Sequence, residues 1–469
     1  MKIDDLIGKS IVIVGLGREG ESSYRFLRSH FPTTRLGLAD QQLSEKLPWL
    51  ASVMNSDALV ETHLGPDYLE ACSQYDVIFR SPGVSLRSPE IAGATRAGAS
   101  LTSQTGLFFA NCPGLIVGVT GTKGKSTTAS LTAKILQAAG KPVHLIGNIG
   151  VPPLSVLDSA NSQSVFVFEL SSYQLDDLTM SPHIAVLLAI YPEHLDYHGN
   201  EEEYAAAKAK ICRFQLTRDW LVYDDTSPVV RSIASRSAAK KIPLALSCSP
   251  TVRCCVDGEY LTIDLDQESL RLPISDVPLL GEFNLANVLA AVTAALLAGA
   301  DKAAVSRGLH AFRPLEHRLE VVGTFDGITF VNDSISTIPE SCIAALGALK
   351  PTVTTLVAGG YDRHREFDEL SKCILQSRIR TLILLPKTGA RILDALEREA
   401  ANEEALPATF LVNSMKDAVA IAYRETRPGE TCLLSPAAAS FSLFIDYVDR
   451  GCQFKTAVRR LADQATARR

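Results

Sequence analysis

Short apolar runs alternate with stretches of helical periodicity over the first 110 residues of the chain. The apolar runs at residues 11–14, 35–40 and 76–79 predict β-strands, and the periodic stretch at residues 21–29 predicts a helix. Strands that alternate with helices are typical of a parallel sheet, because each crossover between parallel strands runs through a helix. The pattern therefore predicts an α/β domain over residues 1–110.

The same alternation starts again near Cys112. Residues 250–273 stand apart within this series, because their alternating polar and apolar positions and their turn residues predict added antiparallel strands. We expect a second domain over residues 111–315. Its other predicted elements are strands at residues 115–120, 143–145, 164–169 and 184–189 and helices at residues 126–139 and 284–298.

A third series begins near Glu316 and again alternates apolar runs with helical stretches. It predicts a third α/β domain over residues 316–469. Three domains fit the length of 469 residues, since a domain usually takes roughly 100–200 residues. The predicted strands of this domain are residues 328–332, 354–358, 381–385, 409–411 and 431–434.

Composition and charge narrow the class of protein. The formal net charge is −6 and no run is rich in lysine or arginine, so nothing favours nucleic acid as a partner. No apolar run reaches the roughly 18 residues that a membrane span needs, and the first residues do not resemble a signal peptide. We therefore expect a cytoplasmic protein without a membrane partner. No interface stripe stands out, so a monomer is expected.

The ten cysteines are scattered and include no CxxC pair. Two of them, Cys254 and Cys255, are adjacent, a spacing that does not match a zinc framework. In a protein without an export signal, this pattern favours reduced, buried thiols over disulfides or metal ligands.

Two glycine-rich loops are the candidates for chemistry, and the second, TGTKGKST at residues 120–127, is the stronger. It joins a predicted strand to a predicted helix, where Gly121 and Gly124 let backbone amides turn toward a polyphosphate beside the helix N-terminus. Lys125 would neutralise the β- and γ-phosphates, and the hydroxyl of Ser126 would bind magnesium. The standard spacing needs a glycine at position 119, where Val119 stands, so this is a variant P-loop or, alternatively, a plain turn.

The first loop is GLGREG, with Gly15, Gly17 and Gly20, and acidic Asp40 follows about 20 residues beyond the last of these. A loop of this kind between strand and helix holds the diphosphate of a nucleotide. The spacing is equally compatible with NAD and with a UDP group, and a tight strand–helix turn without a ligand also remains open.

Nine motifs, the second glycine loop among them, occur in order along essentially the whole chain. With them the chain resembles the Mur ligase family, most closely its glutamate-adding members. The motifs are TGTKGKSTT (120–128), GNIG (147–150), FELSSYQL (168–175), EHLDYHG (193–199), YAAAKAKI (204–211), GEFNLANVLAA (281–291), EHRLE (316–320), NDSIST (332–337) and LLSPAAASF (433–441).

The resemblance implies an α/β fold of three domains: a Rossmann-like N-terminal domain for a UDP-linked substrate, a central P-loop ATPase-type domain, and a Rossmann-like C-terminal domain for the amino acid. It implies an ATP-dependent amide ligase of peptidoglycan precursor synthesis. The implied reaction adds D-glutamate to UDP-N-acetylmuramoyl-L-alanine through an acyl phosphate, with L-glutamate as the alternative. Two glycine loops are then expected, because two nucleotides bind.

The resemblance also implies site residues in the central and third domains. Lys125, His194 and Lys208 would be catalytic, with Lys208 carboxylated by CO2; a solvated lysine is the alternative, and Lys210 competes for the position. His194 could instead be a buried, hydrogen-bonded histidine. Two magnesium ions would be held by Ser126, Glu169, His194 and carboxylated Lys208. The ATP-binding residues would be Gly121, Thr122, Lys123, Gly124, Lys125, Ser126, Thr127, Asn284, Asn287, Arg318 and Asp333.

The remaining implied residues contact the other two substrates. The residues expected to bind the UDP-linked substrate are Gly17, Arg18, Glu19, Asp40, Ser81, Pro82, Gly83, Asn148 and Ser171. Those expected to bind glutamate are Thr337, Arg363, Ser440, Phe441 and Tyr447. Some relatives have lysine where this chain has Ile335 and Arg363, and NDSIST and GGYDR are also similar to relatives that add L-glutamate.

Other functions fit parts of the sequence. An NAD-dependent oxidoreductase would use GLGREG and have no need of Lys125. A folate polyglutamate ligase, or a ligase for alanine or diaminopimelate, would share the scaffold, but the folate enzyme lacks the first domain. A catalytically inactive nucleotide-binding protein would have lost metal ligands, whereas Ser126, Glu169, His194 and Lys208 are all present.

Overall fold

The computed structural model describes residues 1–265, 268–402, 406–441 and 443–467, which form a mixed α/β structure with three β-sheets. Contacts between residues divide the chain into two compact units. The first unit comprises Met1–Val277 and Leu285–Phe312 and contains the first two sheets. The second comprises Pro278–Asn284 and the chain from Arg313 onward, with the third sheet. The three domain ranges expected from the sequence stay a prediction.

The first sheet has five parallel strands in the order β3-β2-β1-β4-β5. Its central strand β1 is wholly buried, as its four consecutive β-branched residues lead one to expect of a parallel strand covered on both faces. The strand order changes direction between β1 and β4, which is where open α/β sheets place ligands. The elements are β1 Ile11–Val14, β2 Leu36–Asp40, β3 Val60–Leu64, β4 Val77–Arg80, β5 Ser100–Ser103, α1 Arg18–His30, α2 Pro48–Ser56, α3 Pro89–Arg96 and α4 Gln104–Asn111.

The second sheet has nine strands in the order β14-β13-β12-β11-β10-β9-β6-β8-β7. Strands β7, β8 and β6 run parallel and in register, so that Gly147, Glu169 and Val119 lie side by side. The strands are β6 Leu115–Thr120, β7 Val143–Gly147, β8 Val165–Glu169, β9 Ile184–Leu187, β10 Trp220–Asp224, β11 Lys240–Ser247, β12 Cys254–Asp257, β13 Tyr260–Leu265 and β14 Glu268–Pro273. The helices are α5 Lys125–Ala138, α6 Ser172–Leu175, α7 Leu195–His198, α8 Glu201–Arg213, α9 Pro228–Ser235, α10 Phe283–Leu297 and α11 Lys302–Ala311.

The antiparallel strands predicted for residues 250–273 are confirmed, since β12 pairs with β13 and β13 with β14 in antiparallel register. Residues 266 and 267 of this stretch lie outside the described residues. The expectation of reduced thiols is wrong for one pair, because Cys248 and Cys255 form a disulfide. The pairing of β11 with β12 brings their Cα atoms to 5.1 Å, which spacing along the chain could not show. Cys452 is exposed rather than buried.

The first two sheets share a continuous apolar core. Phe108 of α4 packs edge-on against Phe166 and Phe168 of β8, with ring centroids 5.0 and 5.8 Å apart. One cluster of buried side chains includes β1, α4 and β8 residues together. This packing fixes the glycine loop after β1 relative to the loops that follow the central strands.

The third sheet has six strands in the order β15-β16-β20-β17-β18-β19, and all pairs are parallel except β15 with β16. Apolar clusters on both faces bury β17 completely. The strands are β15 Glu320–Phe325, β16 Ile328–Asn332, β17 Val353–Gly360, β18 Thr381–Lys387, β19 Ala408–Leu411 and β20 Thr431–Leu434. The helices are α12 Pro339–Ala348, α13 Asp368–Leu375, α14 Thr388–Glu399, α15 Met415–Glu425 and α16 Tyr447–Ala467.

The α/β prediction is confirmed, and β1, β6, β16 and β20 begin and end at the residues expected. The sequence analysis missed five strands: β3, β5, β10, β11 and β15. Within the ranges that the structure describes, no helix combines the length and the apolar character needed to cross a bilayer.

Candidate active site

The glycine loop after β6 has the backbone shape of a phosphate-binding loop. Strand β6 ends at Thr120, helix α5 begins at Lys125, and both glycines between them have positive φ angles, +152° at Gly121 and +84° at Gly124. A Cβ on Gly124 would lie 2.1 Å from Oδ1 of Asn287, so a larger residue cannot fit. The loop therefore presents the amides of a helix N-terminus, a ready anion site.

Thr122 holds the loop in place through its hydroxyl. Oγ1 of Thr122 donates to the carbonyl of Tyr191 at 3.0 Å, accepts from the Tyr191 amide at 2.9 Å, and lies 3.0 Å from the Tyr204 hydroxyl. The next residue, Lys123, forms an ion pair with Glu193 at 2.8 Å. The side chains of both residues, expected to bind ATP, are thus engaged with the segments after β9.

Two lysines approach the carbonyl oxygens of this loop. Nζ of Lys125 donates to the carbonyl of Thr122 at 2.9 Å, and Nζ of Lys208 donates to that of Gly121 at 2.8 Å. Lys208 lies on α8 and is only 1% exposed. Burial holds the pKa of Lys208 well below its ordinary value, and the charge of Lys125 lowers it further. The alternative of a solvated lysine at position 208 is therefore wrong.

Glu169, the last residue of β8, has no exposed surface. Its Oε1 accepts from Nδ2 of Asn148 at 3.0 Å, while its buried Oε2 has no hydrogen-bond partner among the described residues. The hydroxyl of Thr127 is buried in the same way. A buried oxygen left without a donor needs an explanation, and a hard divalent cation supplies one. The site therefore fits magnesium.

His194 precedes α7 in a left-handed backbone conformation, with φ +58°. Its ring packs against Tyr173 and Tyr204, with centroids 5.1 and 6.3 Å away, and its side chain is 45% exposed. Partial burial lowers the pKa of His194, and the Lys125 and Lys208 charges do the same against the opposing carboxylate of Glu193. The ring is therefore half-exposed and not a buried histidine, and its lowered pKa favours the uncharged imidazole, the form that binds metals.

Within the described residues, no group of three or more histidine, cysteine and acidic side chains gathers as a metal site. The expected set of Ser126, Glu169, His194 and Lys208 contains only two such residues. Metal binding by this set therefore depends on the hydroxyl of Ser126 and on a chemical change at Lys208.

The first glycine loop is pinned by Asp40 and Ser81. Oδ2 of Asp40 accepts from the Leu16 amide at 2.6 Å, and its Oδ1 accepts from the Gln42 amide at 2.8 Å. The hydroxyl of Ser81 donates to the carbonyl of Gly15 at 2.6 Å. The side chains of both residues, expected to bind the UDP group, thus shape the loop. Pro82 and Gly83 follow at the adjacent end of β4.

Arg18 and Glu19, also expected at the UDP group, reach from α1 to the central sheet. The guanidinium of Arg18 donates to the carbonyls of Gly147 and Gly150 at 3.1 and 3.3 Å. Oε1 of Glu19 accepts from Gln174 at 2.8 Å, and burial raises the pKa of this carboxyl. Gly17 is the residue before α1, and a Cβ there would meet no atom within 4 Å.

Asn148 and Ser171 follow β7 and β8. The Asn148 amide donates to the Glu169 carbonyl at 3.1 Å, in addition to the side-chain contact described above. The hydroxyl of Ser171 accepts from the Gln174 amide at 3.2 Å and caps α6. These two residues order the ends of the strands that carry the acidic site.

Asn287 and Asn284, expected at the adenine, belong to different compact units. Oδ1 of Asn287 lies 3.4 Å from the Thr128 hydroxyl, beside the phosphate loop. Nδ2 of Asn284 donates to the carbonyl of Leu280 at 2.6 Å. Both side chains are buried. The contact of Asn284 is local, whereas that of Asn287 joins α10 to α5.

In the second unit, Asp333 is buried and satisfied by hydroxyls. Its Oδ2 accepts from Ser336 at 2.5 Å and from Ser435 at 2.9 Å, and its Oδ1 accepts from the Leu319 amide. Burial raises the pKa of Asp333 to about 6 against these hydrogen bonds and the charge of Arg318. Asp333 therefore organises the loops after β16 and β20 in the second unit.

The residues expected to bind glutamate belong to the second unit, four of them in three loops and Tyr447 at the start of α16. The guanidinium carbon of Arg363 lies 5.7 Å from the ring centroid of Phe441, and Tyr361 meets that ring edge-on at 6.1 Å. Ser440 is buried and Thr337 is half-buried. The Tyr447 carbonyl accepts from the Ser334 hydroxyl at 2.7 Å. The structure thus brings Arg363 and Phe441 together.

Comparisons with known proteins agree with this arrangement. The family model for the Mur ligase middle domain matches residues 119–295, that for the Mur ligase glutamate ligase domain matches residues 317–438, and that for the MurD-like N-terminal domain matches residues 9–103. A UDP-N-acetylmuramoylalanine–D-glutamate ligase from Symbiobacterium thermophilum is 36% identical over 456 residues, which cover 96% of this chain and 98% of that protein. The chain belongs to the Mur ligase family.

Other similar proteins carry different names within this family. A UDP-N-acetylmuramoyl-L-alanine–L-glutamate ligase from Xanthomonas axonopodis pv. citri is 33% identical over 97% of this chain and 96% of its own length. The solved structure of a UDP-N-acetylmuramate–alanine ligase from Thermotoga maritima superposes with a TM-score of 0.57 at 16% identity, covering 98% of this chain and 100% of that chain. The resemblance stated from the motifs is thereby confirmed.

Several residues that hold the predicted site residues within each compact unit were not predicted from the sequence. Tyr204 and Glu193 hold Thr122 and Lys123, and both lie inside or next to the motifs that drew attention to His194 and Lys208. Arg450 of α16 is fully buried and donates to the carbonyls of Ser334 and Ala438 at 2.7 and 2.9 Å. Their contacts could not be predicted from local sequence, because Tyr204 is 82 positions from Thr122 and Arg450 is 116 positions from Ser334.

Proposed function

We propose that this Mur ligase is an ATP-dependent enzyme that joins D-glutamate to the alanyl carboxylate of UDP-N-acetylmuramoyl-L-alanine, a step of peptidoglycan precursor synthesis. The observation that carries the proposal is the cradle around the central glycine loop. Lys125 and Lys208 both donate to its carbonyls. The loop leads directly into the N-terminus of α5, whose backbone amides can bind a phosphate. The names of the similar proteins support the choice of substrates.

In the first chemical step, an oxygen of the alanyl carboxylate attacks the γ-phosphorus of ATP and ADP leaves, which forms an acyl phosphate. The two reactants are both anionic, so the enzyme has to offset their repulsion. Lys125 and the amides of the loop bind the phosphates and neutralise developing negative charge. Phosphorylation gives the carboxylate a leaving group, without which an amine cannot displace oxygen at neutral pH.

Magnesium would be held by Ser126, Glu169, His194 and a carboxylated Lys208. The unpartnered oxygen of Glu169 and the lowered pKa of the His194 ring fit this role. Magnesium, when bound, would supply positive charge that offsets the negative charge of the phosphates. The structure describes one such acidic pocket, and binding of two ions stays a prediction of the family resemblance.

Carboxylation of Lys208 is chemically consistent with its surroundings. Burial lowers the pKa of this lysine, which favours the uncharged amine, the form that can attack CO2. The new N–C bond forms as one C=O bond of CO2 opens, and the nitrogen then loses a proton, which leaves a carbamate anion. The change turns a buried cation into an oxygen ligand suited to a hard metal.

In the second step, the amino group of glutamate attacks the acyl phosphate, and the tetrahedral intermediate collapses with loss of inorganic phosphate. Arg363 is the candidate to clamp a carboxylate of glutamate, since a guanidinium offers two parallel donors. Phe441 lies beside it. Thr337 and Ser440 belong to neighbouring loops of the second unit, and Tyr447 begins α16. Arg318 and Asp333 of that unit remain candidates for binding ATP.

D-glutamate is the proposed amino acid because a relative named for it reaches 36% identity over nearly the whole chain. L-glutamate is the second candidate. It is favoured by the NDSIST and GGYDR motifs, which are similar to those of relatives that add L-glutamate, and by a relative named for that amino acid at 33% identity. The two enantiomers carry the same groups, so the choice rests on the placement of two carboxylate contacts.

Phosphate release from ATP tests the proposal. The full-length protein is mixed with magnesium, ATP and UDP-N-acetylmuramoyl-L-alanine, and then with D-glutamate, L-glutamate or no amino acid. Release that depends on D-glutamate supports the proposal, and release that depends on L-glutamate supports the second candidate. If neither D-glutamate nor L-glutamate causes phosphate release, both candidates are rejected. The monomeric state and cytoplasmic location expected from the sequence stay predictions.

A further inference from the structure

Arg80 is the last residue of β4, and its buried guanidinium contacts residues of both the first and the central domain. Its side chain has no exposed surface. Within its own domain, Nη1 donates to the carbonyls of Pro82 and Val84 at 3.0 and 2.8 Å. These carbonyls belong to the loop at residues 81–84, where the UDP-linked substrate is expected. Arg80 therefore fixes the backbone of that loop through these two hydrogen bonds.

The same guanidinium also forms hydrogen bonds and an ion pair with residues of the central domain. Nη1 donates to the hydroxyl of Tyr197 at 3.1 Å, and Nη2 donates to the carbonyl of Tyr173 at 2.9 Å. Nη2 lies 3.3 Å from Oδ1 of Asp177, a carboxylate that is itself buried. The Tyr197 hydroxyl donates in turn to the carbonyl of Val84 at 3.3 Å, which closes a small network between the two domains.

A short chain of ring contacts leads from this network to the metal-site histidine. Tyr197 meets the ring of Tyr173 edge-on with centroids 4.4 Å apart, and Tyr173 lies 5.1 Å from the ring of His194. Tyr197 lies within α7 and His194 immediately precedes that helix, so both belong to the short segment at residues 193–199. A shift of Tyr197 therefore moves both the ring behind His194 and the segment that carries it.

We propose that Arg80 is a positioning residue that locks the substrate loop at residues 81–84 and the histidine segment at residues 193–199 into one arrangement. The inference rests on the proposed function, because it concerns how the carboxylate of the UDP-linked substrate meets the metal site. Arginine suits this task, since its planar guanidinium serves several acceptors at fixed angles, whereas the ammonium of lysine is a single point charge.

Variants must separate positioning from folding, because loss of the guanidinium leaves the carboxylate of Asp177 buried without its partner. Arg80→Lys keeps a cation beside Asp177 but cannot reach all the acceptors. The double variant Arg80→Met/Asp177→Asn removes both charges at similar volume. Tyr197→Phe removes only the hydroxyl that joins the two segments.

Arg87 offers a matched control, because it also joins the first domain to the central domain. Its guanidinium also crosses between the domains, to Asp176 and Glu203 at 3.2 Å each, but its side chain is 39% exposed. Exposed ion pairs contribute little and impose little geometry. Arg87→Lys is therefore expected to behave like the wild type.

Steady-state kinetics of the full-length variants test the inference. Arg80→Lys and Tyr197→Phe are expected to raise both the KM for the UDP-linked substrate and the magnesium concentration at half-maximal rate, by about tenfold for Arg80→Lys. The double variant is expected to do the same at a near wild-type melting temperature. The KM for ATP is expected to stay within about twofold of the wild-type value. Wild-type values of the first two quantities in Arg80→Lys, or the same rise in Arg87→Lys, would overturn the inference.

A binding measurement distinguishes failure of this inference from failure of the proposed function. The affinity for a non-hydrolysable ATP analogue is measured by calorimetry over a range of magnesium concentrations, which needs no turnover and no UDP-linked substrate. If Arg80→Lys needs about tenfold more magnesium than the wild type and Arg87→Lys to reach the same affinity, Arg80 positions the metal site even if no ligation is found. Equal behaviour of all three proteins would overturn the inference.

Discussion

The side-chain nitrogen of Lys208 donates to the backbone carbonyl of Gly121 across 2.8 Å, although the two residues are 87 positions apart. This bond ties helix α8 to the phosphate loop and places a buried amine beside Lys125 and Glu169, whose charges act on it. A permanently charged lysine would be costly there, since a second cation lies close by. Its position is explained if the amine is neutral and is converted to a carbamate.

Replacing Lys208 with alanine is expected to lower kcat by about 100-fold or more, because a metal ligand is lost from the site of phosphoryl transfer. Formate or acetate at millimolar concentration is expected to restore part of the rate, since a carboxylate can take the place of the carbamate, whereas chloride is not. Phosphate release measures both effects. Lys210→Ala, on the same helix, is the control and is expected to retain most activity; a wild-type rate in Lys208→Ala would contradict the carbamate role.

Gly124→Ala tests the phosphate loop. The new methyl group would overlap Oδ1 of Asn287, and the backbone has φ +84°, so we expect ADP to bind at least about tenfold more weakly. Gly140, beyond the other end of α5, has a similar φ of +73° but no atom within 4 Å of the added position. Gly140→Ala is therefore expected to lose only about 1 kcal/mol of stability and to bind ADP normally. Equal calorimetric affinities for the two variants would argue against the loop as the ADP site.

Glu169→Gln tests the acidic pocket. Glutamine can still accept from Nδ2 of Asn148 but carries no charge, so the magnesium concentration at half-maximal rate is expected to rise about tenfold. Glu203→Gln provides the control, because this carboxylate is exposed and paired with Arg87. An unchanged magnesium dependence in Glu169→Gln would remove Glu169 from the metal site.

Asp333 is expected to make stability depend on pH. Its pKa in the folded protein is about 6, above the ordinary value of 3.8, so the folded state holds its proton more tightly than the unfolded state does. The resulting stabilisation is complete below about pH 4 and is lost as the pH rises through 6. Denaturant titrations should show that the wild type loses roughly 2–3 kcal/mol relative to Asp333→Asn between pH 4 and pH 7. A constant difference across this range would mean that the pKa of Asp333 is not raised.

Local patterns explain what the sequence predicted well. Strands β1 and β6 are unbroken apolar runs next to glycine turns, so both their ends are visible in the sequence. Strands β3 and β5 were missed because they are short and carry polar residues, as VETHL and SLTS show. Their strand conformation comes from pairing with β2 and β4, which local pattern does not encode.

The same distinction explains which site residues could be predicted from the sequence. Gly124 was found because a left-handed turn before a helix almost requires glycine. The roles of Thr122 and Arg80 were not found, because Thr122 is anchored by Tyr204 and Arg80 by Tyr197, more than 80 positions away in each case. The disulfide was missed for a different reason: Cys248 and Cys255 are seven positions apart, but only the pairing of β11 with β12 shows that the chain turns back there.

Oxygen transfer tests the central claim, ligation through an acyl phosphate, most directly. UDP-N-acetylmuramoyl-L-alanine labelled with ¹⁸O in its alanyl carboxylate is incubated with the enzyme, ATP, magnesium and D-glutamate, and the products are analysed by mass spectrometry. The account predicts one labelled oxygen in each released phosphate, with ADP and glutamylated nucleotide formed in equal amounts. Unlabelled phosphate, or ADP formed without the glutamylated product, would contradict it.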